Sequence, residues 1–263
     1  MSKIVATVSE MRCRGCPVRA TALCGTPDGR LRAELARAGR SKRVAADTQV
    51  FAEDDRRYVA VVRRGVLRLQ RTSRDGRRTI PAFVYPGEYA GALFRAGGDD
   101  CAVEAATAAE LCLFERSTLE RLLRQDRDLE RRLMMAAADR LDRLLHLTWL
   151  LMSLRVEDRV AGYLLFTEVL APEMVAPRSE APDEVELPVG RRDLADHLGT
   201  SVETISRALH ALERKGRIEI LDPRRFRLLD RDGMEESTGL TPDVLAPLVR
   251  SDAEGEKSAE QIA

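Results

Sequence analysis

The sequence predicts an α+β protein, in which an N-terminal β-roll domain is followed by a long helix and a C-terminal winged helix-turn-helix domain. Three observations predict it: evenly spaced glycines in the first half, a central stretch without Gly or Pro, and a helix-turn-helix pattern near the end. A chain of 263 residues suits two domains of about 100–200 residues each. We expect a cysteine-rich segment at 1–30, the β-roll domain at 31–116, the long helix at 117–155, the winged helix-turn-helix domain at 156–232 and a polar tail at 233–263. The prolines of APEMVAPRSEAPDE, residues 171–184, predict a loop within the fourth of these segments.

The β-roll is predicted from short apolar runs between residues 44 and 114, such as YVAVV and VLRLQ. Gly65, Gly76 and Gly87 punctuate these runs at intervals of eleven residues. Short strands separated by turn signals every 8–12 residues are typical of antiparallel β structure, a sandwich or a roll.

The long helix is predicted over residues 117–155, which contain many Leu, Met, Ala, Arg and Glu residues. A heptad seam runs along it with steps of 3, 4, 3, 4 and 3, formed by Met134, Ala137, Leu141, Leu144, Thr148 and Leu151. Such a seam pairs two helices, so we expect a homodimer. The alternative is one amphipathic helix that lies on its own β domain, and the additional apolar residues allow both.

The helix-turn-helix is predicted over residues 191–216. Asp193 to Leu198 form a short helix that ends at Gly199, and Thr200 with Glu203 form a capping box for a second helix. The second helix has one apolar face, formed by Val202, Ile205, Leu209 and Leu212. This arrangement is the one that places a recognition helix in the major groove of DNA.

The opposite face of the second helix carries Glu203, Ser206 and Arg207, and we expect Thr200 and Ser201 to contact DNA beside them. Arg can donate two hydrogen bonds to guanine and Glu can accept one from cytosine, so one G·C pair could satisfy both. The alternative is that Glu203 only caps the helix and pairs with Arg207.

Local charge supports DNA binding, although the whole chain has 43 basic and 43 acidic residues and no net charge. Residues 201–231 contain eight basic and five acidic residues, a net of +3. RIEILDPRRFRLL within this range indicates a two-stranded wing whose turn offers Arg224 and Arg225 to phosphates. A solvated turn without a DNA contact is the alternative there.

These motifs together resemble the Crp–Fnr superfamily of bacterial transcription regulators. VETISR, residues 202–207, is similar to the signature of its Fnr branch, and PGEYAG, residues 86–91, which contains the third glycine, is similar to the family's cyclic-nucleotide-binding-like roll. The resemblance implies a regulator that binds double-stranded DNA as a homodimer at TTGAT, four spacer pairs and ATCAA, or a near relative. It also implies a contact between RTSRDGRR, residues 71–78, and RNA polymerase.

The resemblance also bears on what the roll senses. Members that bind cyclic nucleotides have a Glu after the second glycine of GE-x-x-GE and an Arg-Ser pair further on. Here Ala92 follows Gly91, and GDDCAV stands where the pair would fall, so no cyclic nucleotide is expected.

Five cysteines, three of them in CRGCPVRATALC, raise the question of a metal. The N-terminus is too short and polar for a signal peptide, and no apolar run approaches about 18 residues. We therefore expect a cytoplasmic protein with no membrane partner, where reducing conditions and an odd cysteine count disfavour a disulfide. Spacing alone leaves metal binding, redox sensing and inert thiols open.

The resemblance favours a 4Fe–4S cluster that senses oxygen, held by Cys13, Cys16, Cys24 and Cys112. Cys101 competes with Cys112 for the fourth position, but Cys112 precedes the long helix as the family's ligand does. The alternatives are a regulator whose cysteines are redox-active or bind zinc, and an iron–sulfur enzyme. We expect no enzyme, because there is no nucleotide-binding loop and the three histidines lack metal spacing.

Overall fold

The computed structural model of the chain describes residues 13, 15–26, 28–52, 55–91, 101–174 and 183–245. These residues form two compact units. The first contains residues 13–69 and 84–137, and the second contains residues 70–83 and 138–245. The second unit is therefore built from two stretches that are far apart in the sequence.

Two antiparallel sheets form the β-roll. Helix α1, Gly29–Ala38, precedes the strands β1 Arg40–Val44, β2 Gln49–Phe51, β3 Tyr58–Arg64, β4 Leu67–Thr72, β5 Arg78–Val84, β6 Tyr89–Ala90, β7 Ala102–Ala105 and β8 Ala109–Glu115. In the described chain these strands make two four-stranded sheets, ordered β1-β8-β3-β6 and β2-β7-β4-β5.

Strand β3 is buried on both faces. Val59 and Val61 pack into one hydrophobic cluster, while Ala60 and Val62 pack into the other. Side chains alternate between the faces of a strand, so a strand covered on both sides reads as a continuous apolar run. This explains why YVAVV lacks the apolar–polar alternation of a half-buried strand. Gly65 follows the strand, and its φ of +78° suits the turn into β4.

The first cluster also anchors the N-terminal cysteine segment. Val18, Ala22 and Leu23 are buried in it together with Leu35 of α1. Asp28 caps helix α1, and its carboxylate accepts hydrogen bonds from the backbone N–H groups of the first helical turn. The segment after Cys13 is therefore held against the roll by apolar packing.

The predicted continuous helix over 117–155 is wrong at one point. The structure has two helices, α2 Arg116–Gln125 and α3 Arg127–Ser153, separated by Asp126. Asp126 is extended, and its side chain accepts a hydrogen bond of 2.8 Å from the backbone N–H of Leu129. An Asp side chain that caps the next helix competes with continuing the previous one, which explains the break.

The second unit contains the predicted winged helix-turn-helix. Its elements after α3 are α4 Val156–Met174, β9 Glu184–Glu186, α5 Arg191–His197, α6 Val202–Arg214, β10 Ile218–Ile220, β11 Arg225–Leu228, α7 Arg231–Thr238 and α8 Pro242–Leu245. The strands form an antiparallel sheet ordered β10-β11-β9. Leu164, Leu198, Leu209 and Phe226 are fully buried. The predicted fold class, a β-roll, a long helical connection and a winged helix-turn-helix, is confirmed.

Two predicted irregular segments are partly helical. The loop expected after residue 170 begins later, because α4 continues to Met174. The polar tail expected over 233–263 is folded as far as residue 245, where Met234, Leu240 and Leu245 are buried. Gly239 ends α7 in the left-handed conformation, with a φ of +68°, so the chain turns back and buries these apolar residues.

Several predictions lie outside the described residues. They concern residues 1–12, Ala92 with the first part of GDDCAV, the proline-rich stretch at 175–182, and the last residues from 246. Within the described ranges, no helix is both long enough and apolar enough to cross a membrane.

Candidate functional site

Helix α6 presents a polar face at its N-terminal end. Its cap is Ser201, whose hydroxyl accepts a hydrogen bond of 3.2 Å from the backbone N–H of Thr204. The predicted capping box of Thr200 and Glu203 is therefore wrong by one residue. Thr200 belongs to the preceding turn, where its backbone N–H donates to the carbonyl of Ala195.

The buried face of α6 begins one turn later than predicted. Ile205, Ala208, Leu209 and Leu212 are buried, but Val202 is 38% exposed. The first turn of a helix projects beyond the helices that cover its middle, so an apolar residue there can stay in solvent. The exposed surface of this turn therefore includes an apolar side chain as well as polar ones.

The three predicted base readers lie together on α6. Glu203 and Arg207 are exposed, and Ser206 is partly exposed between them. The backbone N–H of Glu203 itself and the Ser201 hydroxyl hold the pKa of the Glu203 carboxyl below its usual value, so it is ionised at neutral pH. The Arg207 guanidinium donates to the backbone carbonyl of Glu203 at 3.4 Å.

Ser206 also contacts the first helix of the motif. Arg191, the first residue of α5, donates from Nη1 to the Ser206 Oγ at 3.1 Å. The Nε of Arg191 is buried and has no hydrogen-bond partner among the described residues. The sequence offered no signal for this pair, since the two residues lie on different helices.

The wing separates the two arginines that were predicted to bind phosphate. Asp222 shapes the turn by accepting hydrogen bonds from the backbone N–H groups of Arg224 and Arg225, at 2.8 and 2.9 Å. The Arg225 guanidinium is bound to Glu184 at 3.1 Å. Arg224 is exposed and forms no ion pair with any residue in the described part of the chain. Of these two described residues, Arg224 is therefore the one whose guanidinium is available to a phosphate.

The hairpin between β4 and β5 packs on α5 within the second unit. Arg78 donates to the carboxylates of Asp193 and Asp196, each at 2.6 Å. The His197 Nδ1 lies 2.8 Å from the carbonyl of Ile80, and its ring centroid lies 4.8 Å from that of Phe83. Burial lowers the pKa of His197 to about 4, so the imidazole is neutral at physiological pH.

Four of the five cysteines line one cavity of about 50 Å³ in the first unit. Cys13, Cys16 and Cys24 come from the N-terminal segment, and Cys112 comes from β8. Cys112 is opposite Ser41 of β1 and Val61 of β3 in the sheet, which fixes its position. Cys101 precedes β7 and is not among the residues that line this cavity in the described chain.

The thiols that line this cavity affect one another's protonation. Burial raises the pKa of the Cys24 thiol, and the neighbouring Cys112, Cys16 and Cys13 raise it further. A hydrogen bond to Cys16 helps to raise the pKa of the Arg63 guanidinium, against the effect of its burial. Arg19 and Arg32 line the same cavity, so three arginines surround the cysteines. Within the described residues, no group of three or more His, Cys, Asp or Glu side chains has the arrangement of a site for a single metal ion.

Helix α3 exposes a stripe of apolar side chains. Of the six predicted seam residues, Met134, Ala137, Leu141 and Thr148 are exposed, while Leu144 and Leu151 are half-buried. Leu145 and Met152 are 57% and 81% exposed, and each is more exposed than the adjacent seam residue, Leu144 or Leu151. The exposed stripe is therefore rotated slightly from the predicted seam in its second half.

Comparisons with known proteins give matches to two parts of the chain. Residues 158–237 match a family model described as a Crp-like helix-turn-helix domain, and residues 41–126 match one described as a cyclic nucleotide-binding domain. The nitrogen fixation regulation protein FixK of Bradyrhizobium diazoefficiens is 32% identical over 225 residues, which cover 82% of this chain and 93% of that protein.

Two further relatives are similar over comparable lengths. The transcriptional activator protein FnrL of Cereibacter sphaeroides is 29% identical, and the alignment covers 87% of this chain and 95% of FnrL. The solved structure of FixK2 from Bradyrhizobium japonicum is 29% identical and has a TM-score of 0.67, covering 77% of this chain and 98% of that chain.

Proposed function

Because the chain belongs to the Crp–Fnr family of transcription regulators, we propose that it is an oxygen-responsive activator of transcription that works through a 4Fe–4S cluster. It acts in the cytoplasm, binds a palindromic operator as a homodimer and contacts RNA polymerase. The observation that carries the oxygen response is the meeting of four cysteines, from two distant stretches, in one cavity.

DNA reading rests on the exposed face of α6. The N-terminal turns of a recognition helix enter the major groove, and here those turns carry Glu203, Ser206 and Arg207. Arg207 can donate to the O6 and N7 of guanine, and the ionised Glu203 can accept from the amino group of cytosine. Thr200 and Ser201 directly precede the first residue of the same helix, where their hydroxyls would contact the adjacent phosphates.

Dimerisation rests on the apolar stripe of α3. An unpartnered row of large apolar side chains on one helix is unfavourable in water, and pairing two copies removes it from solvent. A dimer also explains a palindromic operator, because two recognition helices about 34 Å apart would reach equivalent half-sites one DNA turn apart. We propose TTGAT, four spacer pairs and ATCAA, or a near relative.

The cysteine cavity fits a 4Fe–4S cluster by its chemistry. Four thiolates are the donor set that such a cluster requires, and Cys13, Cys16, Cys24 and Cys112 would provide it. Arg19, Arg32 and Arg63 line the same cavity and would offset the negative charge of four thiolates. Lability towards oxygen is the chemistry that the cluster would supply.

Loss of the cluster would change how the N-terminal cysteine segment is attached to the sheet. Cys112 is fixed in β8, whereas the other three cysteines lie in a short segment that precedes α1. A group bound by all four thiolates would tie this segment to the sheet. Loss of such a tie would leave the segment held by the apolar packing of Val18, Ala22 and Leu23 and by polar contacts such as the hydrogen bond from the Arg132 guanidinium to the Ala20 carbonyl. The first unit also contains the start of α3, so such a change can reach the dimerising helix.

Anaerobic purification tests the proposal directly. We expect a brown protein with about four irons and four sulfides per chain, and operator binding that is lost in air. Serine in place of Cys13, Cys16, Cys24 or Cys112 should abolish both the chromophore and the oxygen-sensitive binding.

Cys101→Ser is the matched control, and it should leave the chromophore and the binding nearly unchanged. Anaerobic protein that contains zinc and no iron would favour the alternative of zinc-binding cysteines. A Cys112→Ser variant with a full cluster would move the fourth position elsewhere.

A further inference from the structure

The hydroxyl of Ser206 lies between the DNA-facing residues of α6 and the first residue of α5. Ser206 lies three residues after Glu203 and one before Arg207, so it shares their face of the helix. Its Oγ is 3.1 Å from the Nη1 of Arg191. No other hydrogen bond of the Ser206 side chain is present in the described residues.

The direction of this hydrogen bond is fixed by chemistry. A guanidinium has five N–H donors and no acceptor, so Arg191 must donate and the Ser206 oxygen must accept. A serine hydroxyl has one proton and two acceptor lone pairs. Arg191 therefore occupies a lone pair and leaves the Ser206 proton available.

Other hydroxyls on helices of this chain use their proton differently. Thr148, Thr167 and Thr238 each donate at 2.8 Å to the backbone carbonyl four residues earlier. This bond consumes the proton within the helix. Ser206 does not make it to Val202 in the described structure, and its oxygen is held by Arg191 instead.

The position of Arg191 is not explained by its own hydrogen bonding. Its Nε is buried and has no partner among the described residues, and an unmade hydrogen bond of a buried donor is destabilising. The next residue, Arg192, is exposed. One arginine at the start of α5 is thus turned towards α6, and its neighbour faces solvent.

We propose that Arg191 is a positioning residue, which orients the Ser206 hydroxyl so that it donates a hydrogen bond to a base of the operator. The inference rests on the proposed reading of base edges by α6. Ser206 would then require an acceptor atom in the major groove, such as the O4 of thymine or the N7 of a purine. Cytosine offers only its amino donor there, which could pair with the second lone pair of the Ser206 oxygen but would leave the hydroxyl proton without an acceptor, so cytosine is the base that Ser206 disfavours.

Binding measurements on operators with each base at each half-site position test the proposal. Both Ser206→Ala and Arg191→Met should reduce the discrimination against cytosine at one and the same position, by about 3- to 10-fold. The double variant should lose no more than either single one, because both changes remove the same interaction. Arg191→Lys, which keeps a donor, should restore part of the preference.

Arg192→Met is the matched control, since it removes the same charge from the adjacent position. It should weaken binding to all operators alike and lower the salt dependence, as the loss of a phosphate contact does. Circular dichroism and thermal unfolding show whether each variant keeps the fold. If Arg191→Met unfolds, Ser206→Ala, which is a small change on a partly exposed residue, still tests base recognition by the Ser206 hydroxyl.

Three results would overturn the inference in distinguishable ways. If Arg191→Met weakens all operators equally, Arg191 only attracts phosphate. If Ser206→Ala keeps the full preference against cytosine, base reading belongs to Glu203 and Arg207 alone. If the unaltered protein shows no base preference at any position, the proposed reading by α6 fails, and the inference fails with it.

Discussion

Neighbouring arginines on the wing illustrate how far a single residue's role depends on its partners. Arg224 and Arg225 follow the same turn-forming Asp222, and the sequence alone assigns both to phosphate. In the structure, Arg225 is bound to Glu184 while Arg224 is exposed. Moving Arg225 to a phosphate would break an existing ion pair, so its contribution to DNA binding should be the smaller one.

Three alanine substitutions separate the recognition of base edges from the electrostatic attraction to phosphates. Arg207→Ala should cost about 1–3 kcal/mol of binding free energy and relax the preference at one base pair, because a bidentate contact is lost. Arg224→Ala should weaken all sequences alike and reduce the salt slope by about 1. Arg225→Ala should do less than Arg224→Ala. Titrations of matched and mismatched operators at several salt concentrations measure all three, and equal effects of the two wing variants would contradict the assignment.

His197 makes the stability of the second unit sensitive to acid. Its pKa is lowered from 6.5 to about 4 by burial, so the folded chain binds the proton less readily than the unfolded chain does. The unfolded state gains protons first as the pH falls, and stability should therefore decline between pH 6.5 and 4. The decline from this group is at most about 3 kcal/mol.

Urea unfolding at pH 7.5 and pH 4.5 measures this decline. The comparison variant is His197→Gln, which keeps a donor for the Ile80 carbonyl but cannot titrate. The difference in unfolding free energy between the two pH values should be larger for the unaltered protein. Identical differences would show that His197 is not the responsible group.

At the scale of elements, the exposed stripe on α3 locates the dimer contact. Leu145 is 57% exposed in the single chain, whereas Leu144 is already half-buried. Leu145→Glu should therefore weaken association strongly, because it places an unpaired charge between two apolar helices. We expect a smaller effect on association from Leu144→Glu and a larger one on the stability of the monomer. Sedimentation velocity over a range of concentrations measures association, and a fully dimeric Leu145→Glu protein would place the contact elsewhere.

Element types were predictable from the sequence where local signals agree with the global fold. The glycine-punctuated apolar runs form strands as predicted, and the VETISR stretch begins the recognition helix. Helix ends were less predictable, because they depend on which of several adjacent polar side chains forms the cap. Ser201 caps α6 instead of Thr200, and Asp126 divides the long helix although the residues on both sides favour helix.

At the scale of the whole molecule, the contacts between distant parts of the chain could not be predicted from the sequence. The spacing of Cys13, Cys16 and Cys24 did not choose between chemical roles, and only the register of β8 brings Cys112 to the same cavity. The pairing of Arg78 with two carboxylates of α5 had no sequence signal, since more than a hundred residues separate the partners. Contacts at such separations depend on the path of the chain rather than on local composition.

The hairpin on α5 has a consequence for attempts to cut the protein into pieces. A fragment that starts at residue 138 would contain every helix of the helix-turn-helix but would lack residues 70–83, which belong to the same unit. It would leave Asp193 and Asp196 without Arg78, and His197 without Ile80 and Phe83.

We expect the thermal midpoint of this fragment to be clearly lower than that of the same unit in the intact chain. An equally stable fragment would show that the hairpin only rests on α5. The domain boundary visible in the sequence therefore does not coincide with the boundary of the folded unit. A DNA-binding fragment that is meant to fold by itself should include residues 70–83, joined to it by a linker.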